Sequence, residues 1–311
     1  MEKILLQNGL LVSPVCLGAM NFGTTTAKEE AFKILDEFVD RGGNFIDTSN
    51  NYAHWAGTGD ESETVLGEWI NTRGKRDEIV LATKVGFDRH GEGAGLKKEQ
   101  IEYWIDESLR KLNTDYVDLY YAHTDDENTP LEETMEAFYS LVKKGKVRNL
   151  GGSNYDTWRF LEANVVAKEK GLVPYTVMQQ RFSYLNVRSE CAPKYKFNEA
   201  VGRERLRYCA DKNIPLVAYS CLCKGAYEKD ERLPLDTIAG ERMSLVRTLA
   251  KEKGVSTNAI VIAWLMGLGS QKGFPTVIPL FSSSLAHLGE NLQGLDVTLT
   301  QQEMELMNKT N

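Results

Sequence analysis

An acid, a phenol, an amine and an imidazole stand at the ends of three apolar runs: Asp47 and Tyr52 in NFIDTSNNYA (44–53), Lys84 in IVLATKVG (79–86) and His123 in VDLYYAH (117–123). Each run reads as a buried parallel strand, and α/β folds place their working side chains just past such strand ends. The four groups are those needed to polarise a carbonyl and hand it a proton near neutral pH. A phenol with the ordinary pKa of about 10 is a poor acid for that work, and a neighbouring ammonium lowers it. Lys84 is the ammonium on offer. A buried ammonium sheds its proton unless a carboxylate lies within about 4–6 Å, the role open to Asp47. The expectation is a Tyr52 phenol drawn down by Lys84, with His123 orienting the substrate oxygen. Singly, each has a plain structural reading: an Asp47–Lys84 ion pair, a core histidine, a loop aromatic. Their joint position at neighbouring strand ends weakens that reading.

The elements that would position them alternate regularly. ILLQ and LLVS flank Asn8-Gly9, a strong hairpin signal. After the hairpin come VCLGAMNF (15–22), FIDTS (45–49), IVLATKV (79–85), VDLYYAH, VRNLGGSN (147–154), TVMQQ (176–180), PLVAYS (215–220) and TVIPLF (276–281), each followed by a helical pattern. Ala31, Ile34, Leu35 and Phe38 share one helix face, as do Ile101, Ile105, Leu109 and Leu112. Further helices are expected around 243–253 and 257–268 and through Leu285, Leu288 and Leu292. Eight strand–helix units imply right-handed crossovers and a parallel sheet, and predict a (β/α)8 barrel with an N-terminal β-hairpin. With no linker or low-complexity run, residues 1–311 read as one domain. GEGAG (91–95) opens no helix and reads as a turn over the barrel mouth rather than a phosphate loop.

Composition narrows the partners. A net charge of −7 over 311 residues argues against a nucleic-acid surface, which needs clustered Lys and Arg. Gln7, Asn8 and Gly9 interrupt the opening segment, so it does not read as a signal peptide, and no run approaches the roughly 20 apolar residues of a membrane span. Five cysteines without metal spacing read as reduced thiols, and Cys221-x-Cys223 is too short for a redox CxxC. A cytoplasmic protein with no membrane partner and no metal is the expectation.

At this point the motifs resemble the aldo-keto reductases, from the hairpin to Asn291. LGAMNFG (17–23) resembles that family's first-strand motif, DTSNNYA its Asp-to-Tyr segment, ATKVG its lysine strand, YVDLYYAH its histidine strand and VRNLGGSNY its carboxamide-binding strand. The resemblance implies a catalytic tetrad of Asp47, Tyr52, Lys84 and His123, with Tyr52 as general acid in reduction or base in oxidation. It implies a nicotinamide cofactor touching Gly18, Ala19, Met20 and Asp47, with Ser153, Asn154 and Gln179 on the carboxamide and Tyr219 stacked on the ring. Ser220, Cys221, Leu222 and Gly225 fall where the family's loop wraps the pyrophosphate; Ser282, His287, Glu290 and Asn291 fall on the adenosine side.

Departures bear on cofactor choice. Leu280 to Ser284 and His287 stand where the family often carries a Lys or Arg for the 2′-phosphate of NADP, and Cys221 where many relatives have Pro. Hydroxyls and an imidazole do not replace a guanidinium's charge-assisted contacts, so NADP(H) is favoured by the resemblance while NAD(H) stays open. Lys224 offers another cation. The substrate would be a small carbonyl or alcohol, a sugar or aromatic carbonyl among the options, rimmed by Phe22, His54, Trp55 and Phe87, with residues 186–205 closing over the cofactor. Two other readings remain. A regulatory module resembling potassium-channel β-subunits would keep cofactor and tetrad, but the sequence shows no apolar surface stripe for a partner. A barrel lyase or isomerase using Lys84 as a Schiff-base amine would leave the nicotinamide-like positions without a task. The sequence does not speak to oligomeric state.

Overall fold

The structure is a computed structural model that describes residues 1–6, 9–88, 91, 94–187 and 199–310. Strands β1 (Ile4–Leu5) and β2 (Leu11–Val12) form the expected antiparallel hairpin, Ile4 opposite Val12, with Gly9 at φ +84°; Asn8 of its turn lies outside the described residues. Then β3 (Cys16–Gly18), α1 (Lys28–Asp40), β4 (Phe45–Asp47), α2 (Glu61–Arg73), β5 (Val80–Val85), α3 (Lys98–Leu112), β6 (Val117–Ala122), α4 (Leu131–Lys143), β7 (Val147–Ser153), α5 (Thr157–Lys170) and β8 (Tyr175–Arg181) alternate. The chain continues through β9 (Asn186–Val187), α6 (Arg203–Asp211), β10 (Leu216–Tyr219), β11 (Thr237–Ile238), α7 (Gly240–Lys253), α8 (Thr257–Gly267), β12 (Val277–Phe281), α9 (Leu285–Leu292) and α10 (Gln301–Lys309).

Eight parallel strands close a barrel in the order β10-β12-β3-β4-β5-β6-β7-β8, the (β/α)8 arrangement the alternation predicts. Such strands are buried on both faces, so they read as unbroken apolar runs. One face fills the barrel with Cys16, Phe45, Ala82, Leu119, Tyr121, Val177, Val217 and Ile278; the other packs against the helices. Leu6, Leu10 and Val12 of the hairpin segment join the interior cluster and plug the N-terminal mouth. Ser13 N–H donates to Asn44 Oδ1 at 2.6 Å, tying the plug to β4. The C-terminal mouth, where barrels of this kind carry their chemistry, stays open. Parallel register brings the site residues there: Gly18 lies opposite Asp47, Lys84 opposite Tyr121, Ser153 opposite Gln179 and Tyr219 opposite Arg181.

Four differences from the sequence reading stand out. β3 ends at Gly18, because Ala19 N–H turns aside to Asp47 O (2.9 Å) and Phe22 N–H to Ala19 O (3.0 Å), so 19–22 is a turn. α10, held by a capping box between Thr300 and Glu303, follows the last predicted helix, and β9 pairs with β11 beside the barrel. On α5 Trp158, Leu161 and Val165 are all exposed at helical spacing, an apolar stripe the sequence reading did not see. Part of the segment expected to close over the cofactor (188–198, with Cys191) and Glu92 and Gly93 of the 91–95 turn lie outside the described residues. The other four cysteines are free and buried.

Candidate active site

Two local ties aim the first members of the cluster. Thr48 N–H donates to Ala82 O (2.9 Å), holding the end of β4 against β5, while Thr48 Oγ1 meets Ser62 Oγ (2.7 Å), which donates to Ala19 O (2.8 Å). The turn after β4 then carries Tyr52 back over the strand end. Lys84, on the inward face of β5, donates to Asp47 Oδ1, to Thr48 O at 2.7 Å and to Tyr52 Oη at 2.6 Å. Tyr52 Oη donates to Asp47 Oδ1 at 3.1 Å, and Gln179 Nε2 reaches Asp47 Oδ2 at 2.9 Å. Asp47 and Lys84 are fully buried and Tyr52 is half-buried. His123 follows β6, its ring edge-on to Tyr52 with centroids 5.7 Å apart, and the Phe87 ring is tilted against it at 4.3 Å. Beneath them Tyr121 fills the interior; any side chain at Gly151 would strike its ring, a Cβ coming within 2.5 Å. All four members of the expected tetrad therefore meet.

The electrostatics differ from expectation at Tyr52. Burial and, second, the Asp47 carboxylate push its phenol well above the ordinary value, where a lowering by Lys84 was expected. Burial alone disfavours the phenolate, and Asp47 adds to this by accepting the phenol's own proton, so that removing it costs both a hydrogen bond and a charge repulsion. Burial pushes the Lys84 ammonium down while Asp47 opposes the shift. Burial, then the charge of Lys84, hold His123 well below the ordinary imidazole range. Near neutral pH the resting site holds a neutral phenol and a neutral imidazole beside the Asp47–Lys84 pair. That is a proton donor with its replacement charge next to it.

The expected cofactor residues cluster on the other side of the mouth. Asn154, at φ +57°, donates to His123 O (2.8 Å) and Ser153 Oγ (3.0 Å), and Tyr219 Oη donates to Asn154 Oδ1 (2.7 Å). After β10 the backbone is left-handed at Ser220, Cys223, Lys224 and Gly225; Cys221 and Leu222 between them are buried. Successive turns of this kind gather N–H groups into anion-binding concavities. Lys224 is exposed there, and Arg232, which sequence reasoning missed, lies against the loop: a methyl added at Gly225 would meet its Nη1 at 3.1 Å. Two cations beside a left-handed loop fit a diphosphate. Ser282 Oγ donates to Gly18 O (3.1 Å) and Asn291 Nδ2 to Ser283 Oγ (3.2 Å), so the loop after β12 sits beside β3. His287 Nδ1 lies 3.0 Å from Glu290 Oε2 on α9.

The substrate rim differs in one member. Phe22 is only 2% exposed and belongs to the core cluster between barrel and helices, because the turn after β3 swings it inward; Met20, at 36%, is the exposed apolar side chain of that turn. His54 bonds Asn51 O (3.0 Å) and packs edge-on to Trp55, which is 63% exposed. Phe87 is the expected rim residue seen in contact with the tetrad, through His123. Among the described residues, no group of three or more His, Cys, Asp and Glu is placed to hold a metal, and no helix is long and apolar enough to cross a membrane.

Comparison with known proteins agrees with this geometry. The aldo/keto reductase family model matches residues 14–311. The chain is 33% identical to norsolorinic acid reductase stcV of Emericella nidulans, over 95% of this chain and 77% of the relative. It is 32% identical to an NADP(+) aryl-alcohol dehydrogenase of Phanerodontia chrysosporium, over 97% and 83%. The fold superimposes on a thermostable aldo-keto reductase in complex with the inhibitor epalrestat, with TM-score 0.76 and 24% identity over 99% of this chain and 98% of the other. The chain belongs to the aldo/keto reductase family and is an oxidoreductase.

Proposed function

We propose that the chain interconverts an aromatic aldehyde or ketone and its alcohol, with Tyr52 as the proton donor in reduction. The observation that carries this is the neutral Tyr52 hydroxyl, 2.6 Å from Lys84 Nζ and beside His123. A nicotinamide dinucleotide, when bound, supplies the hydride. Ser153, Asn154 and Gln179 would hold its carboxamide, Tyr219 its ring, the 220–225 loop with Lys224 and Arg232 its diphosphate, and Ser282 and Asn291 its adenosine. The chain's own groups then do the acid–base work. His123 orients the substrate oxygen toward Tyr52, and Tyr52 gives up its proton as negative charge grows on that oxygen. Lys84 stabilises the phenolate left behind, the charge that Asp47 penalises in the resting site. Phe87 and the His54–Trp55 pair favour a flat aromatic substrate over a sugar, in keeping with relatives named for aryl alcohols and norsolorinic acid. NADP(H) remains the favoured dinucleotide, with weak discrimination against NAD(H), because an imidazole paired to a carboxylate stands where a guanidinium would grip a 2′-phosphate.

Tyr52→Phe removes one hydroxyl and tests this directly. Turnover of a benzaldehyde panel should fall by about 10² or more, with dinucleotide affinity retained; turnover near wild type would end the assignment. The regulatory-module reading draws support from the exposed stripe on α5. Repeated turnover favours the enzyme, and tight cofactor retention with a single slow turnover favours the module.

A further inference from the structure

Resting on the placement of His123 at the substrate oxygen, the question is which nitrogen of its ring carries the proton. The ring is neutral near neutral pH, so it has one proton to place. Its Nδ1 lies 3.0 Å from Ser49 Oγ, both groups buried. Ser49 Oγ has one proton as well, and it donates to Asn51 Oδ1 at 2.9 Å. The Asn51 amide is itself oriented, because its Nδ2 faces Asp88 O at 3.4 Å, and a backbone carbonyl only accepts. The chain of donors thus runs one way, from His123 Nδ1–H to Ser49 to Asn51. Nε2 makes no hydrogen bond to the described residues and is not sealed from solvent.

We propose that Ser49, oriented by Asn51, is a positioning residue that sets the His123 tautomer, so that the resting site presents Nε2 as an acceptor suited to an alcohol. Receiving a carbonyl requires the opposite tautomer. The buried Ser49 contact opens so that Nδ1 can lose its proton to water, Nε2 takes one from water, and on closing the Ser49 hydroxyl has rotated from Asn51 to donate to Nδ1. Net protonation is unchanged. The rotor therefore lets one pocket hold either an oxygen that donates or an oxygen that accepts.

Nitrogen-labelled histidine reads this without turnover. The chain has four histidines, so loss of one ring signal in His123→Gln assigns His123. The wild-type ring should be protonated at Nδ1 with a bare Nε2. Ser49→Ala should move the proton to Nε2, and Ser49→Thr should keep it on Nδ1. Because the reaction's equilibrium fixes the ratio of kcat/KM in the two directions, the functional readout is dead-end binding. In Ser49→Ala the affinity for benzamide relative to benzyl alcohol should rise about tenfold, the factor one ordinary hydrogen bond carries. A wild-type ring protonated at Nε2 overturns the proposal even if no variant folds. So does a Ser49→Ala ring that keeps its Nδ1 proton, or an unchanged binding ratio. Retained turnover in Tyr52→Phe would sink the proton-donor assignment and leave the tautomer result standing.

Discussion

At the ends of β4 and β5 the Asp47–Lys84 pair has no exposed surface, and a tyrosine, a glutamine and a backbone carbonyl satisfy the remaining lone pair and protons. On α9 the His287–Glu290 pair leaves 67% and 57% of its side chains exposed. Both are ion-pair geometries at the same mouth of one barrel, yet they obey different rules. Desolvation makes each buried charge depend on its partner, so neither can change alone. Water and salt screen the exposed pair to roughly 0–1 kcal/mol, so it can be exchanged without disturbing the fold. The pair proposed for the reaction is in this way locked, while the pair proposed to bear on cofactor choice can be exchanged.

The largest expected effect comes from breaking the buried pair. Lys84→Met leaves the Asp47 carboxylate buried without its ammonium, which should cost about 3–5 kcal/mol in urea unfolding and abolish turnover at neutral pH. Adding Asp47→Asn removes the stranded charge and should recover most of that stability but none of the activity. Glu290→Gln, the matching cut on α9, should cost no more than about 1 kcal/mol. If Lys84→Met and Glu290→Gln proved equally mild, the contrast between the two regions would collapse.

A smaller effect concerns pH. His123 binds a proton less readily folded than unfolded, since burial and Lys84 both disfavour the imidazolium. Its contribution to stability is therefore fully present above the unfolded value of about 6.5 and is lost as pH falls toward the depressed folded value. In that window it adds a slope of at most about 1.4 kcal/mol per pH unit. Urea midpoints measured between pH 7 and 5 should fall less steeply in His123→Gln than in wild type. Equal slopes would show that the ring is not held neutral.

These contrasts also explain what the sequence made legible. Strands buried on both faces must be apolar throughout, so FID and IVLATKV could be read, and with them the strand ends that carry Asp47 and Lys84. The barrel order and the meeting of the four tetrad residues follow from parallel register. What escaped depends on short-range geometry that no period encodes. The turn that buries Phe22 and exposes Met20 is set by two backbone bonds. The direction of the Tyr52 shift is set first by how the fold buries the phenol and then by its contact with Asp47, neither of which a sequence states. Ser49 was in plain view two residues after Asp47, but its bond to His123 spans 74 positions. Arg232 reaches the loop of Gly225 from outside any motif.

The smallest effect is expected in the exposed pair on α9, where His287 stands in place of the Arg that the resemblance leads one to expect. His287→Arg places a guanidinium four residues before Asn291, free of the imidazole's need to be protonated and able to fork onto a phosphate. NADPH should bind about three- to tenfold more tightly at low salt, because an exposed ionic contact retains only part of a charge-assisted bond. NADH, with no 2′-phosphate, should be unaffected. The gain should shrink as salt rises toward 1 M, where the screening length is about 3 Å. Arg232→Ala sharpens the assignment of the second cation. If Arg232 meets the diphosphate, both dinucleotides should weaken together; if it meets the 2′-phosphate, NADPH alone should weaken. A wild-type preference for NADPH above about 10³, roughly 4 kcal/mol, together with a neutral His287→Arg, would mean that Arg232 or Lys224 already grips the phosphate. The freedom assigned to the exposed pair would then belong to a site that never chose the cofactor.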